Sequence, residues 1–221
     1  VKQTVLDQEV NVDMLRLVHG EQDMVFHEPL RPWDLIAGRA EILSIEDKAS
    51  GQVLSVRQRL MRDGVCAVET TSAYFIRSKT PPEKGGAKAS DAPPPARDIL
   101  FESSFTVDVD QSYRYAEASL DQNPIHVDVV VAQGAGFPGV ILHGLCTMAL
   151  TGRELIARVA EGRPERLRRL KVRFARPVFP GEKLTVRAWR VEGAASRVSV
   201  GFETANARGD LVIANGLAEI G

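Results

Sequence analysis

Eight consecutive residues, Asp121-Gln122-Asn123-Pro124-Ile125-His126-Val127-Asp128, place a carboxylate and an imidazole five positions apart. On a regular helix that spacing is about 140° of rotation, so an unbroken helix would not aim the two at one point. Asn123-Pro124 breaks it, because the proline ring pushes the preceding residue out of helical geometry. The turn that results can bring Asp121 and His126 together. An acid and a base side by side are what proton transfer near neutral pH requires. The same string also suits a plain Asx-type turn capping a helix, with His126 as a core residue.

Further along comes Ile141-Leu142-His143-Gly144-Leu145, where an apolar helix begins. The N–H of Gly144 falls in the first helical turn, so it lacks an intrahelical acceptor and sits at the positive end of the helix dipole. Such an amide can polarise a carbonyl and stabilise enolate-like charge on it. Glycine also lets a ligand come close to the backbone. A plain helix start, with glycine there for packing, fits the same residues.

The elements that must hold these groups are legible in outline. From Gly144 to about Glu161, Leu145, Met148, Leu155, Ile156 and Val159 follow the helical period, and the first turns are apolar nearly all round. That pattern predicts a buried helix, stopped by Gly162-Arg163-Pro164. Residues 78–98 contain no Val, Ile, Leu, Met or aromatic residue but several prolines. They are expected to link an N-terminal part, 1–77, to a C-terminal part, 99–221, although a long surface loop would look the same. The two parts are related. Phe26-His27-Glu28-Pro29-Leu30-Arg31-Pro32 matches Phe174-Ala175-Arg176-Pro177-Val178-Phe179-Pro180, and Asp63-Gly64 and Arg208-Gly209 follow at similar distances. Around them Leu184, Val186 and Ala188, and Val198, Val200 and Phe202, alternate as in strands; Val53, Val56 and Leu60 do so more roughly. Each part should carry about three antiparallel strands after a proline-marked bend. A helix in the first part would have to precede Glu21, so it is shortened or lies upstream.

These residues resemble a family. Tyr115-Ala116 through Asp128, then Ala135-Gly136-Phe137-Pro138-Gly139-Val140-Ile141-Leu142-His143-Gly144-Leu145-Cys146-Thr147, is similar to the (R)-specific 2-enoyl-CoA hydratases of the MaoC-like hot-dog class. The closest likeness is to the hydratase part of peroxisomal multifunctional enzymes. It continues through Lys171–Gly181 and, in the first part, through Val18–Gln22 and Asp47–Gly51. Members of that class have a longer N-terminal part. The resemblance implies an α+β double hot dog whose first half has lost its own catalytic turn and accommodates the acyl tail. It implies Asp121 and His126 as the dyad, Asn123 holding its geometry and Gly144 as oxyanion donor. It also implies acyl-CoA contacts from His19, Gly20, Lys48, Gln122, Pro124, Ile125 and Phe174. The partner is then an acyl-CoA thioester, with coenzyme A as part of the substrate and no separate cofactor, and the assembly a homodimer. A dehydratase acting on acyl-carrier-protein thioesters and a non-catalytic acyl-CoA-binding hot dog are the alternatives.

Composition narrows the field. Lys+Arg (28) and Asp+Glu (29) nearly cancel, which argues against nucleic acid as partner. No apolar run approaches the roughly 20 residues of a membrane-crossing helix. Cys66 and Cys146 have no paired spacing, so neither a disulfide scaffold nor a zinc site is expected. Asp121, His126 and Asp128 could be metal ligands, but the Asn-Pro turn and the absence of a second cluster speak against a metal. Cys146 reads as a small core residue. The basic run from Arg158 to Arg176 is either a cradle for CoA phosphates or a solvated surface. The chain opens on Val1, which suggests a processed or trimmed terminus. It closes on Ala218-Glu219-Ile220-Gly221, which is no peroxisomal address, so a cytoplasmic enzyme is expected, or a peroxisomal one if the chain is a module.

Overall fold

The computed structural model describes residues 17–78, 97–192 and 197–221. The chain divides into two compact units, Val1–Asp98 and Ile99–Gly221. The expected linker and the segment before the first strand fall mostly outside the described residues.

In the first unit β1 (Leu17–Phe26) leads through the proline-marked bend to a meander of β2 (Ala37–Lys48), β3 (Gly51–Arg62) and β4 (Val65–Arg77). All neighbours are antiparallel, in the order β2-β3-β4-β1. Asp63 and Gly64 take φ of 50° and 81°, the left-handed pair of a tight hairpin turn whose twist matches the strands. One face of the sheet is solvated, and Arg57 and Arg59 there pair with Glu41 and Glu69. The other buries Leu54, Val56 and Tyr74. The alternation in β3 is rough because Val53 lies on the opposite face from the buried Leu54 and Val56, and the neighbouring strands carry the extra residues, Leu43 in β2 and Ala67 in β4.

The second unit repeats the plan and adds to it. β6 (Leu167–Phe174), the bend, then β7 (Lys183–Val191), β8 (Val198–Asn206) and β9 (Leu211–Ile220) match the first unit strand for strand. β5 (Ile99–Thr106) pairs with β7, giving the order β6-β9-β8-β7-β5. Leu184, Val186, Ala188, Val200 and Phe202 are fully buried, as their alternation predicts. Among the described residues three α-helices complete the unit: α1 (Gln111–Ser119), α2 (Val129–Gly134) and α3 (Gly144–Arg158). A core of Val107, Leu142, Cys146, Val178, Leu184 and Val212 ties α3 and the bend to the sheet.

α3 departs from expectation twice. It ends at Arg158, before Glu161, because Glu161 and Gly162 turn left-handed (φ 58° and 73°) and the Gly162 N–H returns to the Ile156 carbonyl at 2.9 Å. That closure satisfies the last carbonyls, as left-handed caps do. Nor is it buried all round. Leu145 and Ala149 are exposed, whereas Met148, Thr151, Gly152 and Leu155 form the buried stripe. Threonine serves in that stripe because the Thr151 and Thr204 hydroxyls bond each other at 3.0 Å.

Candidate active site

The Asp121–Asp128 string is a tight loop fastened at nearly every residue. α1 ends on Leu120 in the left-handed region, reversing the chain. The Asp121 N–H then donates to Ser119 Oγ (3.2 Å), and the Gln122 side chain donates to the Ala116 carbonyl (3.0 Å). Asp121 Oδ1 accepts from the Asn123 N–H (3.3 Å), and Asn123 Oδ1 caps the single 3-10 turn Pro124–His126 by accepting from the Ile125 N–H. Asn123 therefore shapes the loop, its side chain accepting from the Ile125 N–H and its own N–H donating to Asp121. Asp128 caps α2, with Oδ1 accepting from the Val130 and Val131 N–H groups. It is spent there and takes no part in the cluster.

Across from this loop runs Ile141–His143. The Ile141 N–H donates to the Ile125 carbonyl (3.2 Å), the Leu142 N–H to the Val178 carbonyl (2.7 Å), and His126 Nδ1–H to the Ile141 carbonyl (2.8 Å). A carbonyl cannot donate, so Nδ1 carries the hydrogen and, in the neutral ring, Nε2 keeps its lone pair. His143 Nε2–H donates to the Asp121 carbonyl at 3.0 Å. Its ring stacks on His126 with centroids 3.8 Å apart and lies 4.8 Å from the Tyr115 ring. One ligand atom each from Asp121, His126 and His143 falls within 4.8 Å of the others. Atoms that close can share one water, since two hydrogen bonds of about 2.8 Å span roughly 5 Å. Asp121 is exposed while both histidines are buried.

Burial sets the protonation states. It pushes His126 down to about 4; the His143 charge adds to this, while the Ile141 carbonyl and Asp121 oppose it. Burial also lowers His143, against the Asp121 carbonyl and charge. Both rings are neutral at pH 7. The Cys146 thiol rises to about 11, mainly through burial, so it is no thiolate nucleophile.

Gly144 opens α3, and its N–H has no acceptor within the helix. The Phe174 ring lies against it: a Cβ on Gly144 would come within 3.3 Å of that ring. Thus Asp121, His126, Gly144 and Phe174, with the Gln122-Asn123-Pro124-Ile125 backbone around them, belong to one neighbourhood of the second unit. His19, Gly20 and Lys48 belong to the first unit. His19 lies opposite Tyr74, their rings tilted with centroids 4.8 Å apart, Gly20 is the extra residue at a β1 register shift, and Lys48 ends β2 paired with Glu46. The residue that sequence reasoning left without a role is His143. Its place just before Gly144 was the only signal. The basic run is largely committed to ion pairs: Arg158 to Glu154, Arg163 and Arg166 to Glu161, Arg169 to Glu219, Arg176 to Asp210.

The MaoC like domain family matches residues 90–209, more than half of the chain, and the MFE-2 hydratase 2 N-terminal domain matches residues 2–78. The chain belongs to the MaoC-like family. This MaoC-like chain is 33% identical over 186 residues to 3-hydroxyacyl-thioester dehydratase Y of Mycobacterium tuberculosis, covering 80% of the chain and 62% of that protein. It is 32% identical over 186 residues to peroxisomal multifunctional enzyme type 2 of Drosophila melanogaster, covering 81% of the chain but 31% of that much longer protein. The crystal structure of a MaoC-like dehydratase from Phytophthora capsici superposes with a TM-score of 0.81 at 29% identity, covering 95% of this chain and 73% of that one. The fold is therefore the MaoC-like hot dog.

Proposed function

We propose that the chain catalyses reversible hydration of a trans-2-enoyl-CoA to the (R)-3-hydroxyacyl-CoA. The observation that carries this reading is the convergence of Asp121 and His126 within 4.8 Å, close to the opening of α3 at Gly144. The hydratase 2 domain match supports the substrate class and the stereochemistry.

In the hydration direction, a water held between Asp121 and His126 gives up a proton to the pair as its oxygen bonds to C3. The C2=C3 π electrons move toward C2, and charge builds on the thioester oxygen, where the Gly144 N–H meets it. The pair then delivers a proton to C2. One O–H bond breaks, and one C–O and one C–H bond form. The free lone pair on His126 Nε2 suits it to accept the water proton, and Asp121 is the exposed partner. The dyad acts as a unit, so its members share the acid and base roles. No cofactor enters; coenzyme A arrives on the substrate.

A double hot dog, with the first unit accommodating the acyl tail and contributing His19, Gly20 and Lys48 to acyl-CoA binding, is the arrangement we favour, assembled as a homodimer. The repeated strand plan supports it. Of the two compartments expected, the peroxisomal one has a relative's name behind it. Among the described residues no helix is long and apolar enough to cross a membrane.

The mycobacterial relative's name, a thioester dehydratase, favours keeping the carrier-protein dehydratase as second reading. Adding the protein to crotonyl-CoA, to a medium-chain enoyl-CoA and to the same chain on acyl carrier protein separates the cases. Loss of enoyl absorbance on CoA with (R)-product supports hydration. Turnover on the carrier protein alone would replace it, and binding without turnover would leave a non-catalytic module.

A further inference from the structure

We infer that His143 is a positioning residue, which holds the Asp121 loop and the His126 ring in register with each other and with the Gly144 amide. The inference rests on the dyad reading above and deepens it.

Two side-chain contacts and one backbone link meet at this residue. Its Nε2–H bonds the Asp121 carbonyl at 3.0 Å, its ring is stacked 3.8 Å from His126, and its backbone leads directly into Gly144. Tyr115 closes the far side of the ring at 4.8 Å. The ring is 2% exposed, so it cannot swing away without opening the core. It is also the N-cap of α3, yet it makes no capping hydrogen bond. Serine, threonine or aspartate is the usual choice there, because its oxygen takes up the free N–H groups of the first turn. A histidine that reaches toward Asp121 instead leaves those N–H groups to a ligand.

Packing alone does not account for the choice. His143 Nδ1 is buried with no hydrogen-bond partner, an arrangement that folded proteins rarely keep without use. A leucine would fill similar space without that orphan but could not bond the Asp121 carbonyl. A glutamine could donate to the carbonyl but could not stack on His126. Only a planar ring with an N–H at its tip does both.

The groups facing His126 are His143 from the start of α3 and Asp121 from the loop, with Tyr115 of α1 against the His143 ring and Cys146 of α3 acting on Tyr115. His143 is the one whose charge disfavours protonated His126. Its removal should therefore shift the His126 titration upward, and a loss of kcat with KM nearly unchanged, partly restored by glutamine, separates positioning from packing.

The test uses the full chain and the variants His143→Leu and His143→Gln, with hydration of crotonyl-CoA followed by absorbance and His126 followed by NMR titration of labelled imidazoles. The expected result is a wild type that hydrates, a kcat about 100-fold lower in His143→Leu with KM nearly unchanged, and about tenfold recovery in His143→Gln. The His126 midpoint should move upward in both variants. Wild-type kcat in His143→Leu would overturn the inference and leave the dyad intact. So would a loss that follows melting temperature alone, with the His126 midpoint unmoved. A wild type that does not hydrate would instead remove the functional reading, and an unmoved midpoint would then remove the positioning role as well.

Discussion

His126 owes its readiness at pH 7 to burial: water is scarce around it, and the charged ring is disfavoured down to about pH 4. Its Nδ1–H is committed to the Ile141 carbonyl, so in the neutral ring the lone pair is left on Nε2. His126→Ala and Asp121→Ala should each lower kcat by about 10²–10⁴ while circular dichroism and melting stay near wild type. If either variant retains normal turnover, the dyad is wrong. Activity that needs neutral His126 should hold from pH 8 to 6 and fall as pH drops toward 4, read as the acid limb of kcat/KM. The same shift acts on stability. Between about pH 4 and the unperturbed 6.5 the unfolded chain binds the proton and the folded chain does not. The contribution is thus fully present above 6.5 and lost as pH falls through the window, on the order of 3 kcal/mol. Urea denaturation at pH 7, 5.5 and 4 checks this, and His126→Gln should flatten the profile.

At the scale of elements, close packing between strands and α3 matters more than propensity. Gly216 in β9 has no room for a methyl group: a Cβ would lie 2.5 Å from the Phe202 ring and 2.6 Å from the Phe202 carbonyl oxygen. Backbone cannot give way as a side-chain tip can. Gly216→Ala should destabilise the chain by about 1–3 kcal/mol, measured as a lower denaturation midpoint. Gly144→Ala is a milder case, since its Cβ would press the Phe174 ring at 3.3 Å. The ring can tilt, so the expected effect is a lower kcat with melting little changed. The turns were readable beforehand because Asp63-Gly64 and Gly209 answer to local backbone sterics. The bulges in β1, β2 and β4 were not, because they depend on which neighbour each strand meets.

For the whole molecule, the repeated plan of one strand, a proline-marked bend and a three-strand meander was visible in the paired Phe-x-x-Pro-x-x-Pro strings. Asp121 and His126, the proposed dyad, both lie in the second unit, which leads us to expect one active site per chain. Lys48→Ala in the first unit should raise KM for the CoA substrate with kcat little altered, if that unit contributes to binding as proposed. Light scattering during gel filtration should report the mass of two chains, and a monomer that retains full activity would dismiss the dimer.

What the residues determined unaided was short-range. Pro124 forces the turn between Asp121 and His126, Gly144 starts a helix with a free amide, and Gly162 helps end it; each follows from backbone sterics within a few positions. What only the folded chain decided was long-range pairing. Whether Asp128 would join the cluster or cap α2, whether the arginine run would stay open or pair with Glu161, Asp210 and Glu219, and that His143 would reach Asp121 across 22 positions are not encoded in spacing. A side chain takes the partner that burial leaves within hydrogen-bond reach, and that choice exists only once the strands and helices have packed.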